Sequence, residues 1–416
     1  MKNLRKKIYM TAGYNTISMG TGRKEFNPKK ERAGLEEYLK EAGQGVLNQI
    51  DNGAKSVDES VLGNFMASRF NRQANLPGFF PMIDKDLEFK PATSVEGACG
   101  SGALSLMSGI KSVLAETADV VLSMGVEVQN TVKAIYGADI LAYAGWFKER
   151  KKGHAYFFPG QFSDRAGAYF EKYDREKARK GMAQWYANAI ENARLDPTAQ
   201  EFHNTHPDPY GLSLKSEPNG KVFVDHLNYM DCSKVSDGAS GIIIASEEGL
   251  KRIGIDKKDS VEIIGWAQTI RNITEQPTDR TELTAIKTAI EKVFKETGLS
   301  INQIGTVELH DCFSIAGILT VEALGFAKPG EGCDFVANGN TKRDGIIPMN
   351  TTGGLIGWGH PTGATGVHQA VTIWQQLTGK AGNAQIKISK ERPYGMTINM
   401  GGDDVTVTAI IYKQGA

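Results

Sequence analysis

The chain has 416 residues, room for about two to three domains, and 48 basic against 48 acidic side chains give it zero formal net charge. That balance argues against coating nucleic acid or an anionic membrane surface. Four cysteines exclude a disulfide scaffold, and Cys99, Cys232, Cys312 and Cys333 contain no C-x-x-C pair, so neither an internal zinc ribbon nor any other metal site is expected.

The chain starts basic, but no apolar h-region follows. No stretch approaches the roughly 18 apolar residues of a membrane span, and KQGA is not a peroxisomal address, so a cytoplasmic location is expected. Residues 7–11, 92–97, 119–127 and 238–245 read as strands, and GSGALSLMSGIKSVLAET between the second and third carries Leu104, Met107, Ile110 and Leu114 at helical spacing. The pattern then begins again. Residues 260–269 and 306–311 read as strands around an amphipathic helix at 281–297. The helix SIAGILTVEALG, a glycine-rich loop, a helix near 363–379 and paired strands in 394–413 follow. Alternating elements of this kind predict an α/β fold, here as two similar halves, 1–255 and 256–416.

An extra segment, 128–230, interrupts the first half. Its stretch 136–173 holds 11 of the chain's 35 aromatics, which predicts either a packed irregular subdomain or an apolar lid over a bulky ligand. KERKKGH at 148–154 is a basic run, a solvated face or a contact for a phosphate-bearing ligand. The stripe Met182, Trp185, Tyr186 and Ile190 reads as core, His203 and His206 as surface structure, and Cys232 and Cys333 as packing residues.

Three constellations carry chemistry. Cys99, in VEGACGSGALS, sits where a strand turns into a helix, framed by small residues that leave its sulfur accessible. Backbone N–H groups and the helix dipole there would favour the thiolate and lower its pKa; a buried structural cysteine is the alternative. His310, Asp311 and Cys312 occupy a second strand-to-helix junction, the face on which α/β sheets present ligands. His360 stands in NTTGGLIGWGHPTGATG, whose glycines imply close backbone approach to another segment or to a ligand, and it is placed to take a proton from a thiol. Near the C-terminus INMGGDD adds a glycine turn at Gly401 and Gly402, with Asp403 and Asp404 as turn formers.

Together VEGACGSGALS, DCSKVSDGAS (231–240), HDCF (310–313) and GGLIGWGHPTGATG resemble the thiolases, in the branch of sterol-carrier-protein thiolases and archaeal-type acetyl-CoA acetyltransferases. The resemblance implies a thiolase fold, two duplicated α/β halves in a five-layered αβαβα core, with 128–230 as a loop domain that holds CoA. It implies Cys99 as nucleophile, His360 as its base and an oxyanion donor, His310 as a second oxyanion donor, and Gly401 as a backbone donor. Common thiolases carry a second catalytic cysteine in a C-terminal C-x-G motif, which here reads Asn399-Met400-Gly401; in the HDCF branch Cys312 takes that acid–base role.

Coenzyme A is then a co-substrate, with no permanently bound cofactor. A homodimer or dimer of dimers is implied, with a separate small zinc-ribbon and OB-fold accessory subunit. Similarity to the large subunit of 2-benzoylsuccinyl-CoA thiolase suggests that substrate, cleaved to benzoyl-CoA and succinyl-CoA. Acetyl-CoA C-acetyltransferase or a general fatty-acyl 3-ketoacyl-CoA thiolase are alternatives. A decarboxylating condensing enzyme and a non-catalytic acyl-CoA-binding scaffold are rivals from other classes, the latter set against the intact Cys99, His310, Cys312 and His360.

Overall fold

A computed structural model describes residues 6–150 and 154–416. Among the described residues nine strands form one sheet: β1 (Ile8–Asn15), β2 (Glu59–Gly63), β3 (Ala92–Val95), β4 (Val120–Glu127), β5 (Gly238–Ser246), β6 (Val261–Ile270), β7 (Ile304–Leu309), β8 (Tyr394–Gly401) and β9 (Thr406–Gln414). Their order is β3-β2-β4-β5-β1-β6-β9-β8-β7. Read outwards from the centre, each half starts with its first strand, then its last, then runs through an antiparallel and a parallel pairing. The second half lacks a full counterpart of β3; a single parallel bridge between Val307 and Met349 stands there. β1 and β6 join the halves through only two residue pairs, Tyr9 with Glu262 and Met10 with Val261.

Side-chain alternation creates the layers. Along β5, Ile242 and Ile244 enter an inner core, while Ile243 and Ala245 enter an outer one. Along β9, Ile410 and Tyr412 face inwards, and Ala409 and Ile411 outwards. A sheet buried on both faces needs continuous apolar runs such as GIIIA. Helix α1 (Leu35–Leu47) covers the outer face of the first half with Leu39, Ala42 and Val46. The inner core lies around α2 (Ser101–Leu114), which brings Leu106, Ile110 and Val113 against the Val367 segment. In the inserted segment, α3 (Phe157–Lys172) and α4 (Arg175–Ala193) join α5 (Thr284–Thr297) and α6 (Ser314–Ala323) in the outer core of the second half. Helix α7 (Thr365–Thr378) completes the central layer with Val367, Val371 and Trp374. The two parts of this one sheet thus share the inner core around α2 and α7, and further helices cover their outer faces.

The stripe Met182, Trp185, Tyr186 and Ile190 is core as expected, and so is Cys333. Lys151, Lys152 and Gly153 of the basic run lie outside the described residues. No helix among the described residues is long and apolar enough to cross a membrane.

The glycines around His360 serve approach to other chain segments. A Cβ on Gly366 would lie 2.2 Å from the Ala103 nitrogen, and one on Gly102 would lie 2.7 Å from the Gly363 carbonyl oxygen. The central helices therefore meet backbone to backbone at their N-termini. Gly366→Ala is expected to lower the unfolding free energy by about 1–3 kcal/mol, the usual cost of overpacking, in a urea titration.

Candidate active site

Cys99 lies in a 3-10 turn, Ala98–Gly100, between β3 and α2. Ala98 is held at φ 55°, a left-handed conformation that alanine rarely adopts, so the turn stores strain. Hydrogen bonds hold it there: the Ala98 N–H donates to Glu96 Oε1 at 2.6 Å, the Gly97 N–H to Ser101 Oγ at 3.0 Å, and the Ser101 hydroxyl to the Ala98 carbonyl at 2.6 Å. The backbone N–H of Gly402 donates to the Cys99 sulfur. Gly402, one residue beyond Gly401, is thus the turn glycine that reaches the thiol.

The expectation of a lowered thiol pKa is corrected. Burial, reinforced by the Glu127 carboxylate, pushes Cys99 up to about 12, and the hydrogen bond from Gly402 does not offset it. The resting group is a thiol. Alkylation of Cys99 by iodoacetamide should therefore rise about tenfold per pH unit from pH 6 to 9, followed by the mass of its peptide. A plateau in that window would reveal a preformed thiolate.

His360 is buried at 7 % exposure, and burial depresses its pKa to about 3, so the ring is neutral near pH 7. Its backbone N–H donates to Ser236 Oγ at 2.9 Å, and its carbonyl accepts from Gln129 Nε2 at 2.7 Å. Its Nδ1 lies 2.7 Å from Thr365 Oγ1, whose own proton goes to the Pro361 carbonyl at 3.1 Å. Thr365 therefore accepts from Nδ1–H and leaves a lone pair on Nε2, which is buried and without a protein partner. His310 is buried, held well below its usual pKa by burial and by His360, and meets that ring edge-on at 5.1 Å between centroids. Donor atoms of Cys99, His310 and His360 lie within 4.8 Å of one another, the one set of three potential metal donors among the described residues. Cys312 is 7 % exposed, and burial together with nearby Cys99 holds its thiol well above the usual range.

Buried carboxylates fasten these loops. Glu127 accepts from Asn64 Nδ2, the N–H groups of Phe65, Met66 and Gly363, and the Thr362 hydroxyl, at 2.9–3.2 Å. It thereby joins the first half to the loop behind His360. Asp311 accepts from the Leu355 N–H at 2.7 Å and from Trp185 Nε1 at 3.0 Å, and burial raises its pKa to about 7. Asp403 and Asp404, expected as turn formers, are also anchors. Asp403 Oδ1 accepts from Nε of the buried Arg165 on α3 at 2.6 Å, and the Asp404 carboxylate accepts from the Ala285 and Ile286 N–H groups at the start of α5.

A cavity of about 570 Å³ opens onto Cys99, His310, Cys312 and His360. Leu141, Phe158, Phe162, Phe223 and Phe313 make its wall largely apolar, and Arg32 and Lys234 also line it. The aromatic stretch divides its work: Tyr156, Phe158 and Phe162 line the cavity, Tyr169 packs in the core, and Tyr136 and Phe147 are exposed. Cys232, expected to be packing, is half-buried and lines the same cavity. His203 and His206 do not line it; His203 Nε2 lies 3.6 Å from Glu25.

The chain is similar to known proteins over most of its length. The family described as "Thiolase, N-terminal domain" matches residues 19–203, and "Thiolase C-terminal domain-like" matches 265–414. An acetyl-CoA acetyltransferase of Methanothermobacter thermautotrophicus is 32% identical over 91% of this chain and 94% of its own. Benzoylsuccinyl-CoA thiolase subunit BbsB of Thauera aromatica is 26% identical over 71% of this chain and 73% of its own. Among solved structures, the Ltp2-ChsH2(DUF35) aldolase superposes with a TM-score of 0.78 over 99% of both chains at 19% identity, a likeness of fold.

Proposed function

The chain belongs to the thiolase family, and from that premise we propose that it cleaves bulky 3-oxoacyl-CoA substrates by retro-Claisen thiolysis through an acyl-Cys99 intermediate. Acyl-CoA acyltransfer is the activity of the family. The observation that carries the finer reading is the meeting of Cys99, His310 and His360 within 4.8 Å at the floor of an apolar cavity.

His360 Nε2 takes the Cys99 proton, and the sulfur attacks the 3-keto carbon. The Cys99 backbone N–H and the Gly401–Gly402 turn receive the alkoxide, each donor contributing roughly 3–4 kcal/mol to the barrier. The C2–C3 bond then breaks. His310 and the protonated His360 hold the enolate oxygen while Cys312 gives its proton to C2, releasing the CoA thioester built on C1 and C2 and leaving the shortened acyl group on Cys99. The Cys312 thiolate takes the proton of an incoming CoA thiol, and the CoA sulfur displaces Cys99, which recovers its proton from His360. The same groups serve Claisen condensation in reverse.

The size and aromatic wall of the cavity support a bulky acyl group, and the name of the BbsB subunit supports 2-benzoylsuccinyl-CoA as its first candidate. The higher identity to the acetyl-CoA acetyltransferase favours a second reading, acetyl transfer between two acetyl-CoA molecules. Division of the chain at 255/256, CoA bound by the loop domain at 128–230, a dimeric assembly and a separate accessory subunit belong to the same proposal. The partner named with Ltp2 and the word subunit in the BbsB name support that last point.

The test is a panel of 3-oxoacyl-CoAs with CoA, with and without candidate small subunits, read by mass spectrometry. Benzoyl-CoA and succinyl-CoA from 2-benzoylsuccinyl-CoA are the expected products. Turnover of acetoacetyl-CoA alone would replace this substrate by the second reading.

A further inference from the structure

The amide line behind His310 has only one polarity. Gln369, on α7, is buried at 1 % exposure, and its Nε2 lies 3.2 Å from the Ile398 carbonyl oxygen and 3.4 Å from that of Glu308. Carbonyl oxygens only accept, so that end of the amide is its NH2, and Gln369 Oε1 is left as an acceptor. Asn399 Nδ2 lies 3.0 Å from this Oε1 and must donate to it. The same Nδ2 lies 3.1 Å from His310 Nδ1 and has a second hydrogen to give. Reversing the Asn399 amide would set oxygen against oxygen. Its Oδ1 is accordingly left buried without a partner, a cost that the orientation of the line imposes.

We propose that Gln369 and Asn399 are positioning residues that hold His310 as the Nε2–H tautomer, so that its free nitrogen donates towards the substrate. Thr365 sets the opposite tautomer on His360. Two neutral rings, edge-on at 5.1 Å, thus offer one lone pair and one N–H. The first is what proton removal from Cys99 requires, and the second is what an enolate oxygen requires. Asn399 occupies the place that the C-x-G cysteine holds in common thiolases, and here it orients a donor instead of transferring a proton. The tautomer follows from the hydrogen bonds alone; its use against an enolate rests on the thiolysis reading.

Two measurements test this separately. In protein labelled with ¹⁵N-histidine, the His310 signals, identified by their loss in His310→Asn, should show a protonated Nε2 and a bare Nδ1. Asn399→Asp places a carboxylate at the same spot, which accepts from Nδ1–H, and should exchange the two signatures. A protonated Nδ1 in the unmodified protein would overturn the proposal whatever the activity.

In thiolysis, Asn399→Asp should lower kcat about 10²–10³-fold, the loss of one oxyanion donor, with KM within about threefold. It should be worse than Asn399→Ala. In a His310→Asn background the two should differ by less than about threefold, because the ring they act through is gone. Simple packing by Asn399 predicts the reverse order, with the near-isosteric Asp milder than Ala, and that order would refute positioning. Failure of the unmodified protein to cleave any 3-oxoacyl-CoA would remove the thiolysis reading and leave the NMR result standing.

Discussion

Cys99→Ala is expected to lower kcat for 3-oxoacyl-CoA thiolysis by about 10⁵–10⁶, the scale on which acyl-transfer enzymes lose activity with their nucleophile. No neighbour can substitute. Cys312 and Cys232 line the same cavity, but only Cys99 stands in a strained turn with the Gly402 N–H on its sulfur and a bare imidazole nitrogen close by. Loss of the intermediate is checked directly: incubation with an acyl-CoA should add one acyl mass to the Cys99 peptide of the unmodified protein and none to the variant. Thiolysis retained within tenfold would place the nucleophile elsewhere.

Cys312→Ala should separate the two halves of the reaction. Acylation of Cys99 by a simple acyl-CoA needs no carbon acid, so the acyl-peptide should still form. Carbon–carbon cleavage should fall about 10²–10⁴-fold, the usual contribution of a positioned acid–base group. The position of Cys312 suits the role: burial and nearby Cys99 keep it a thiol until a carbanion takes its proton. Its backbone is fixed by the Ser233 N–H, which donates to its carbonyl at 2.9 Å, and by Asp311 beside it, tied to Trp185 and Leu355. Full cleavage by this variant would remove Cys312 from the mechanism and make the acid a water or a histidine.

What the sequence disclosed depended on how local the cause was. Strands buried on both faces announce themselves as apolar runs, so β4, β5 and the first half of β1 were legible. β2 was not, because ESVLG is short, with Glu59 and Gly63 at its ends. β3 reads two residues too long, since Glu96 and Gly97 already belong to the Cys99 turn. Cys99, His310, Cys312 and His360 each carry a local signature, and the fold brings them to one cavity. The partners of their supports cannot be read locally. Asn399 is 89 residues from His310, Thr362 is 235 from Glu127, and Arg165 is 238 from Asp403. The sign of the Cys99 shift was missed for a related reason. Helix dipole and N–H donors can be read from a turn, whereas the depth of burial that outweighs them is a property of the whole fold.

The division of labour between the halves has a mechanical consequence. Cys99 comes from one half and His310, Cys312 and His360 from the other, and besides the β1–β6 pair the halves are held together by the contact of α2 with α7 and by the Glu127 bonds to Thr362 and Gly363. A small opening of the molecule along that seam lengthens the path from sulfur to imidazole and leaves every helix and strand intact. Catalytic competence is therefore a finer gauge of the closed state than helical content is. On warming, turnover should disappear while the circular dichroism of the chain still looks native.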